Sequence, residues 1–269
     1  MLKTVVITGS SKGLGLGLAE AFLARATNVV VSARGAEAVA LVCRELGAKY
    51  PAARILGRAC DVAVYEDVAA LWSAACERFG GVDVWVNNAG ISNAQRAFVE
   101  LPPALIQSVV ATNLIGVMNG SRVALAGMLA QGRGAIYNME GFGSDGARQR
   151  GMALYGSTKR AVRYFTRSLV AETRGSGVIV ATVSPGIVVT ELLVSVYEEG
   201  DPALWHSQRR LFNFIADPVE VVAPWLAGRL LDNRRSGAHI AWMTVLKGAL
   251  RFLNPRYYRR DLFAPGTGK

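Results

Sequence analysis

Thr4-Val5-Val6-Ile7-Thr8-Gly9-Ser10-Ser11-Lys12-Gly13-Leu14-Gly15 is a short β-branched run that stops at a glycine-rich turn and passes straight into a segment of helical period. Glycines at 9, 13 and 15 let the backbone turn sharply, let a diphosphate approach without interference from a Cβ, and let helix and strand pack closely. The helix N-terminus adds unpaired N–H groups and a partial positive charge that suits phosphates. Glycine spacing alone is a weak signal, and a merely tight turn is the plain alternative. The position after a first strand and before a helix strengthens the phosphate reading. Gly9, Ser11, Lys12, Gly13, Leu14 and Gly15 are the candidate residues.

Outward from this stretch, β-branched runs alternate with longer helical segments. Thr4 to Ile7, Asn28 to Ser32, Arg54 to Cys60, Val82 to Val86, Gly134 to Asn138 and Val178 to Val183 read as strands, apolar on both sides. Gly15 to Arg25, Ala36 to Gly47, Tyr65 to Phe79, Pro103 to Ala130 and Tyr155 to Arg174 read as helices. Such alternation specifies an α/β protein, a doubly wound parallel sheet with helices on both faces. A helix over Pro218 to Leu231 and a seventh strand near Gly237 to Thr244 close the sheet. With no linker or repeat, residues 1–244 form a single domain, residues 191–216 a lid, and residues 245–269 an amphipathic basic tail.

Of 269 residues, 51% are hydrophobic and 19% charged, which excludes a disordered chain. Thirty Lys and Arg against 20 Asp and Glu give a formal net charge of +10. The excess collects late: Arg229 to Lys269 holds nine basic and two acidic residues, a local +7. It reads either as a solvated face or as a surface for anionic partners. Arg251, Arg256, Arg259 and Arg260, with Phe252, Tyr257 and Tyr258, are the expected contacts to an anionic membrane face. No nucleic-acid recognition module is visible. Cys43, Cys60 and Cys76 are odd in number and lack CxxC spacing, which argues against disulfides and zinc and fits a reducing compartment. With no signal peptide visible and no uncharged apolar run of bilayer length, a cytoplasmic protein is expected, peripheral to a membrane at most.

At the end of the second strand, where an NAD enzyme places a carboxylate on the ribose, this chain has Ser32-Ala33-Arg34. Arg34 and Lys12 could hold a 2′-phosphate, which favours NADPH/NADP+; the alternative is that Arg34 is an ordinary exposed cation. Asp61 and Val62 follow the third strand and could face an adenine. After the fourth strand, Asn87 could merely tie neighbouring strands, whereas Asn88, Ala89 and Gly90 are assigned to the adenosine and ribose side. Tyr155 and Lys159 share one helix face at i and i+4. A phenol titrates near 10, and poising it near 7 would take about 4 kcal/mol of favourable field, within reach of an ammonium and an oxidised nicotinamide in a dry cleft. A pair of exposed surface residues is the plain alternative for this spacing.

Together, Thr8-Gly9-Ser10-Ser11-Lys12-Gly13-Leu14-Gly15, Asn87-Asn88-Ala89-Gly90, Asn113, Tyr155-Gly156-Ser157-Thr158-Lys159 and Ser184-Pro185-Gly186 resemble the short-chain dehydrogenase/reductase family in order and distance, over residues 2 to about 244. The resemblance implies a Rossmann-type sheet, Tyr155 as acid/base, Lys159 as its pKa depressor and ribose clamp, and Asn113 as holder of a proton-relay water. It also implies that Pro185, Gly186, Val188 and Thr190 contact the nicotinamide carboxamide and phosphates, and that the chain pairs as a homodimer through the helices bearing Asn113 and Tyr155.

One departure stands out. The family has Asn-x-Ser-Ser after the fifth strand, whereas this chain reads Asn138-Met139-Glu140-Gly141-Phe142-Gly143-Ser144. Counting from Asn138 puts Gly141 at the serine position, and counting back from Tyr155 puts Phe142 there. Ser144 is either the displaced oxyanion donor or a plain loop hydroxyl. This stretch, with Leu192-Leu193, Leu211-Phe212-Asn213 and the extended tail, is similar to chlorophyll(ide) b reductases. The implied activity is NADPH-dependent reduction of an aldehyde or ketone on a small molecule, in the narrowest form the formyl group of a chlorophyll b-like tetrapyrrole. The lid aromatics Trp205, Phe212 and Phe214 suggest a large apolar substrate or, equally, lid packing. The alternatives are a broad ketoreductase or alcohol dehydrogenase for lipophilic carbonyls, and a non-catalytic NADPH sensor.

Overall fold

The computed structural model describes residues 2–198 and 202–263. Strand β1 (Thr4–Thr8) is fully buried and leads through the glycine turn into helix α1 (Gly13–Leu23). Then follow β2 (Asn28–Ala33), α2 (Ala36–Gly47), β3 (Ile55–Ala59), α3 (Tyr65–Phe79) and β4 (Val84–Asn87). Helices α4 (Pro103–Val110) and α5 (Gly116–Gln131) precede β5 (Gly134–Met139), α6 (Ala153–Glu172) and β6 (Val178–Ser184). A two-residue ribbon, β7 (Val188–Val189) on β8 (Asp217–Pro218), brackets α7 (Glu191–Glu198) and α8 (Pro202–Ile215). Helix α9 (Val219–Asp232) and β9 (His239–Ala241) complete the sheet, and α10 (Val245–Phe252) and α11 (Arg256–Arg259) form the tail.

All seven main strands are parallel, in the order β3-β2-β1-β4-β5-β6-β9. The chain therefore reverses direction across the sheet between β1 and β4, and the carboxyl ends there form the crevice in which such sheets bind ligands. Strand periodicity divides the core in two. Val5, Ile7, Val29, Val31 and Tyr137 pack against α1 and α9, while Val6, Val30, Trp85 and Ile136 pack against α3 and α5.

Three elements differ from the sequence reading. The expected single helix over Pro103 to Ala130 is interrupted by a π-helical turn, Ala111–Ile115, that carries Asn113. Pro103–Gln131 is long and apolar enough to cross a bilayer by composition, yet Val109, Asn113, Val117, Ser121, Ala124 and Met128 are buried inside the molecule. Strand β3 is not apolar on both sides: as an edge strand it exposes Gly57, Arg58 and Ala59. The last strand pairs over only three residues.

Candidate active site

At the crevice, Gly9 and Gly13 adopt φ of +64° and +55°, a region L-residues rarely occupy. A Cβ on Gly15 would lie 2.3 Å from the Gly9 carbonyl oxygen, so this turn exists only as glycine. Lys12, the residue before α1, makes no side-chain cap, so the first N–H groups of the helix stay available to an anion. Ser10 closes the loop from below by donating to the Ile7 carbonyl and accepting from Ser32 N at 2.9 Å. This cradle fits a dinucleotide diphosphate.

The residues assigned to the adenosine side divide into two groups. Asn88 donates from Nδ2 to the carbonyls of Thr8 and Gly9 at 2.9 and 3.0 Å, so its amide fastens the glycine loop. The backbone N–H of Ala89 donates to Thr8 Oγ1. Asn87 is buried between Trp85, Ser121 and Asn138 and ties the neighbouring strands together. Asp61 accepts from Ala63 N at the β3 end, Val62 is buried, and Arg34 stands exposed after β2. Lys12 reaches Glu191 at the start of α7, so the base of the lid pairs with the phosphate loop. Thr190 meets Gly13 across the same cleft, Val188 lies in β7, and Pro185 and Gly186 form the turn before it.

The chemistry is concentrated on α6. Tyr155 and Lys159 lie one turn apart, with Lys159 Nζ 5.6 Å from the phenol ring centroid and donating to the Met139 carbonyl at 3.2 Å. Gly90 closes over this point, since a Cβ there would lie 3.4 Å from Asn113 Oδ1 and 3.7 Å from Lys159 Nζ. Asn113, fully buried, donates to the Ile91 carbonyl and Thr158 Oγ1 and accepts from Ile91 N; its amide is thus engaged at both ends and fixes the π turn. A π turn at such a place is a common mark of a functional site.

The phenol is not acidified in this state. Burial pushes Tyr155 up to about 12, and burial pulls Lys159 down to about 8 against the opposing field of Glu140. The expectation of a phenol near neutrality calls on an oxidised nicotinamide as well as the ammonium; in the protein alone the ammonium faces the ring without offsetting its desolvation. Ser144, open between an oxyanion donor and a plain loop hydroxyl, turns toward Glu140. Its hydroxyl donates to Glu140 Oε2 at 3.2 Å, and its carbonyl accepts from Arg160. Gly141 is the residue against the phenol oxygen.

Sequence reasoning missed Glu140. The signal was available: a carboxylate directly after a buried parallel strand, on the ligand-binding edge of the sheet.

Arg256 is exposed as expected, but Arg251 and Arg260 are not presented to solvent in the same way. Arg251 is 3% exposed and paired with Asp217, and Arg260 reaches Asp217 Oδ1 and the carbonyls of Phe214 and Ala216. Phe214 packs on Phe252, Tyr257 and Tyr258, so this lid aromatic holds the tail. Phe212 joins Met152, Val196 and Ala216 in a cluster that touches Tyr155, Ile187, Leu193, Leu262 and Phe263. The side chains of Trp205 and Arg259 lie outside the described residues.

Comparison with known proteins agrees with this geometry. A family model for short chain dehydrogenases matches residues 3–201. A probable chlorophyll(ide) b reductase, NYC1 of Arabidopsis thaliana, is 36% identical over 258 residues, covering 90% of this chain and 51% of the relative. The chlorophyll(ide) b reductase NOL of Oryza sativa subsp. japonica is 36% identical over 260 residues, 93% of this chain and 74% of the relative. The chain thus spans about half the length of NYC1. Among solved structures, an actinorhodin polyketide ketoreductase variant crystallised with NADPH superimposes with a TM-score of 0.80 at 30% identity, covering 91% of this chain and 97% of that one. A Tyr and a Lys one helical turn apart, set at the mouth of a glycine cradle, and a family match over most of the sequence lead to one assignment: the chain belongs to the short-chain dehydrogenase/reductase family.

Proposed function

We propose that the protein reduces a carbonyl group, an aldehyde or ketone, at the expense of NADPH. The observation that carries this reading is the Tyr155–Lys159 pair packed against Gly90 and Gly141 at the open end of the sheet. The reduced nicotinamide, when bound, supplies the hydride. Gly9, Ser11, Gly13, Leu14 and Gly15 would hold its phosphates with Thr190; Pro185, Gly186 and Val188 would serve the nicotinamide side; Asp61, Val62, Asn88, Ala89 and Gly90 would serve the adenosine and ribose side; Arg34 with Lys12 would receive the 2′-phosphate. Tyr155, protonated throughout the neutral range, gives its phenolic proton to the carbonyl oxygen. Lys159 offsets the tyrosinate left behind, and Asn113 keeps the π turn in place beneath both.

The substrate class is suggested by the apolar surroundings of the phenol. Met152, Val196 and Phe212 form a buried apolar cluster on which Tyr155, Ile187 and Leu193 pack, and this setting suits a hydrophobic carbonyl compound. The chlorophyll(ide) b reductases among the relatives favour a formyl tetrapyrrole. The polyketide ketoreductase likeness favours a broader range of lipophilic ketones as the second reading. NADPH consumption with a formyl tetrapyrrole, set beside small aldehydes and ketones, decides between them. Turnover of small compounds alone ends the tetrapyrrole reading. Failure of every oxo compound, with Tyr155→Phe indistinguishable from wild type, ends the enzymatic one and leaves the sensor.

Two partner surfaces belong to the same proposal. Val245, Leu246, Leu250 and Leu253 of the tail are exposed beside Arg256, and this apolar face, rather than Arg251 and Arg260, lies on an anionic membrane. Co-sedimentation with liposomes that ignores anionic lipid content refutes it. A groove of about 990 Å³ lined by Met118, Phe142, Met152, Arg160 and Tyr164 runs along α5 and α6 and supports homodimer formation; a monomer by light scattering refutes that.

A further inference from the structure

Glu140 projects from the end of β5 on the same face as Asn138, two residues earlier, and so toward α6. Its side chain is 1% exposed. It accepts one hydrogen bond, from Ser144 Oγ, while Oε1 has no hydrogen-bond partner. Burying a carboxylate this deeply is costly unless cations surround it. On α6, Tyr155, Lys159 and Arg163 succeed one another at four-residue steps and form a rail facing the strand end. Arg163 Nε stands 3.6 Å from Oε1. From β9, His239 Nδ1 stands 3.6 Å from Oε2 and 3.0 Å from Thr182 Oγ1. Lys159 Nζ rests on the Met139 carbonyl, the peptide from which Glu140 springs. From the opposite side, Gly90 and the neutral Asn113 amide approach Lys159.

We propose that Glu140 is a positioning residue of this reductase site: the buried counter-charge that keeps Lys159 in its ammonium form beside Tyr155, shared with Arg163 and, when protonated, His239. The inference rests on the catalytic reading of Tyr155 and Lys159 and adds what holds that pair in its working charge state. It also gives Ser144 a role, as the hydrogen-bond donor that fixes the carboxylate. Burial alone pulls Lys159 toward the neutral amine, and the carboxylate opposes that pull.

The test reads Lys159 directly. Protein carrying carbon-13 at the lysine ε position is titrated by NMR, with Lys159→Met assigning the signal. Wild type is expected to turn near pH 8, and Glu140→Gln at a pH lower by about one unit or more. Glu140→Asp, which keeps the charge, is expected to restore most of the difference. Arg163→Met, which removes a cation competing for the same carboxylate, is expected to move the turn upward, and it carries the test if Glu140→Gln does not fold. An unchanged turn in either folded variant overturns the proposal. The pH profile of NADPH-dependent reduction should fall at lower pH in Glu140→Gln than in wild type. If no carbonyl compound is reduced by wild type yet the NMR turn moves, the reductase reading fails and the electrostatic role of Glu140 stands.

Discussion

Gly141 and Tyr155 occupy adjoining space so closely that a Cβ on residue 141 would lie 2.4 Å from the phenol oxygen. The phenol therefore extends into the volume that a side chain at 141 would fill. Restoring the hydroxyl typical of the family at this position does not create an oxyanion donor but displaces the acid. Gly141→Ala and Gly141→Ser are both expected to lower kcat by about 100-fold, because a shift of the order of 1 Å in a reacting group has that cost. Steady-state NADPH oxidation checks it, with NADPH affinity measured alongside and expected to stay within about twofold of wild type. A serine variant as fast as wild type would show that Tyr155 yields without loss.

Burial of Lys159 also appears in stability. The folded chain releases this proton near 8 and the unfolded chain near the ordinary 10.5. Between those values the unfolded state binds more protons, so stability rises with pH; below 8 the cost of burying the ammonium is fully present, on the order of 3 kcal/mol. Cys60, pushed up to about 11, and Tyr155, pushed up to about 12, work in the opposite sense above pH 9 and 10. The wild-type curve alone is therefore mixed, and the difference from Lys159→Met isolates the lysine. Urea denaturation at several pH values is expected to show Lys159→Met more stable than wild type at pH 7, with the gap narrowing from pH 8 upward and closing toward 10.5. Parallel curves refute this.

The parts of the site legible in the sequence were those fixed by local geometry. Gly9, Gly13 and Gly15 specify a turn, and Tyr155 and Lys159 share a face because four residues make about one helical turn. The loop after β5 was illegible because three glycines, at 141, 143 and 146, let the chain wind freely, with φ of +89° at Gly143, so counting residues could not place Ser144. The fate of the tail arginines was illegible for another reason. Asp217, which neutralises Arg251 and Arg260, lies 34 and 43 residues upstream, and pairing over that distance leaves no periodic trace. The π turn at Asn113 left none either, as its residues suit an ordinary helix.

Arg34 tests the cofactor assignment. It follows β2 in the open, and Lys12, the other cation suited to a 2′-phosphate, is already shared with Glu191. Arg34 should then dominate the discrimination. Arg34→Asp is expected to raise the KM for NADPH by about 10- to 100-fold, the loss of one charge-assisted contact plus a new repulsion. The KM for NADH should fall or stay unchanged. If both cofactors weaken equally, Arg34 supports the adenosine pocket without reading the phosphate.

Asp217 ties the lid to the tail. Its carboxylate accepts from Trp242 Nε1 at 2.7 Å, from Arg251 and from Arg260, and the three donors come from the β9 turn, α10 and the segment after α11. Because Arg251 is almost wholly buried, removing the carboxylate leaves a cation without compensation, at a cost of about 3–5 kcal/mol. The ribbon β7–β8 frames the lid helices, so the loss is local to lid and tail before it is global. Asp217→Ala is expected to speed amide hydrogen exchange in α8 and α10 while β1, β4 and β5 keep wild-type protection. The KM for a bulky substrate should change more than the KM for a small aldehyde, since only the former would reach the apolar cluster of Phe212 and Val196 beside Tyr155. Uniformly faster exchange across the sheet would mean that Asp217 secures the whole fold; unchanged exchange would mean that the aromatic contacts of Phe214 suffice to hold the tail.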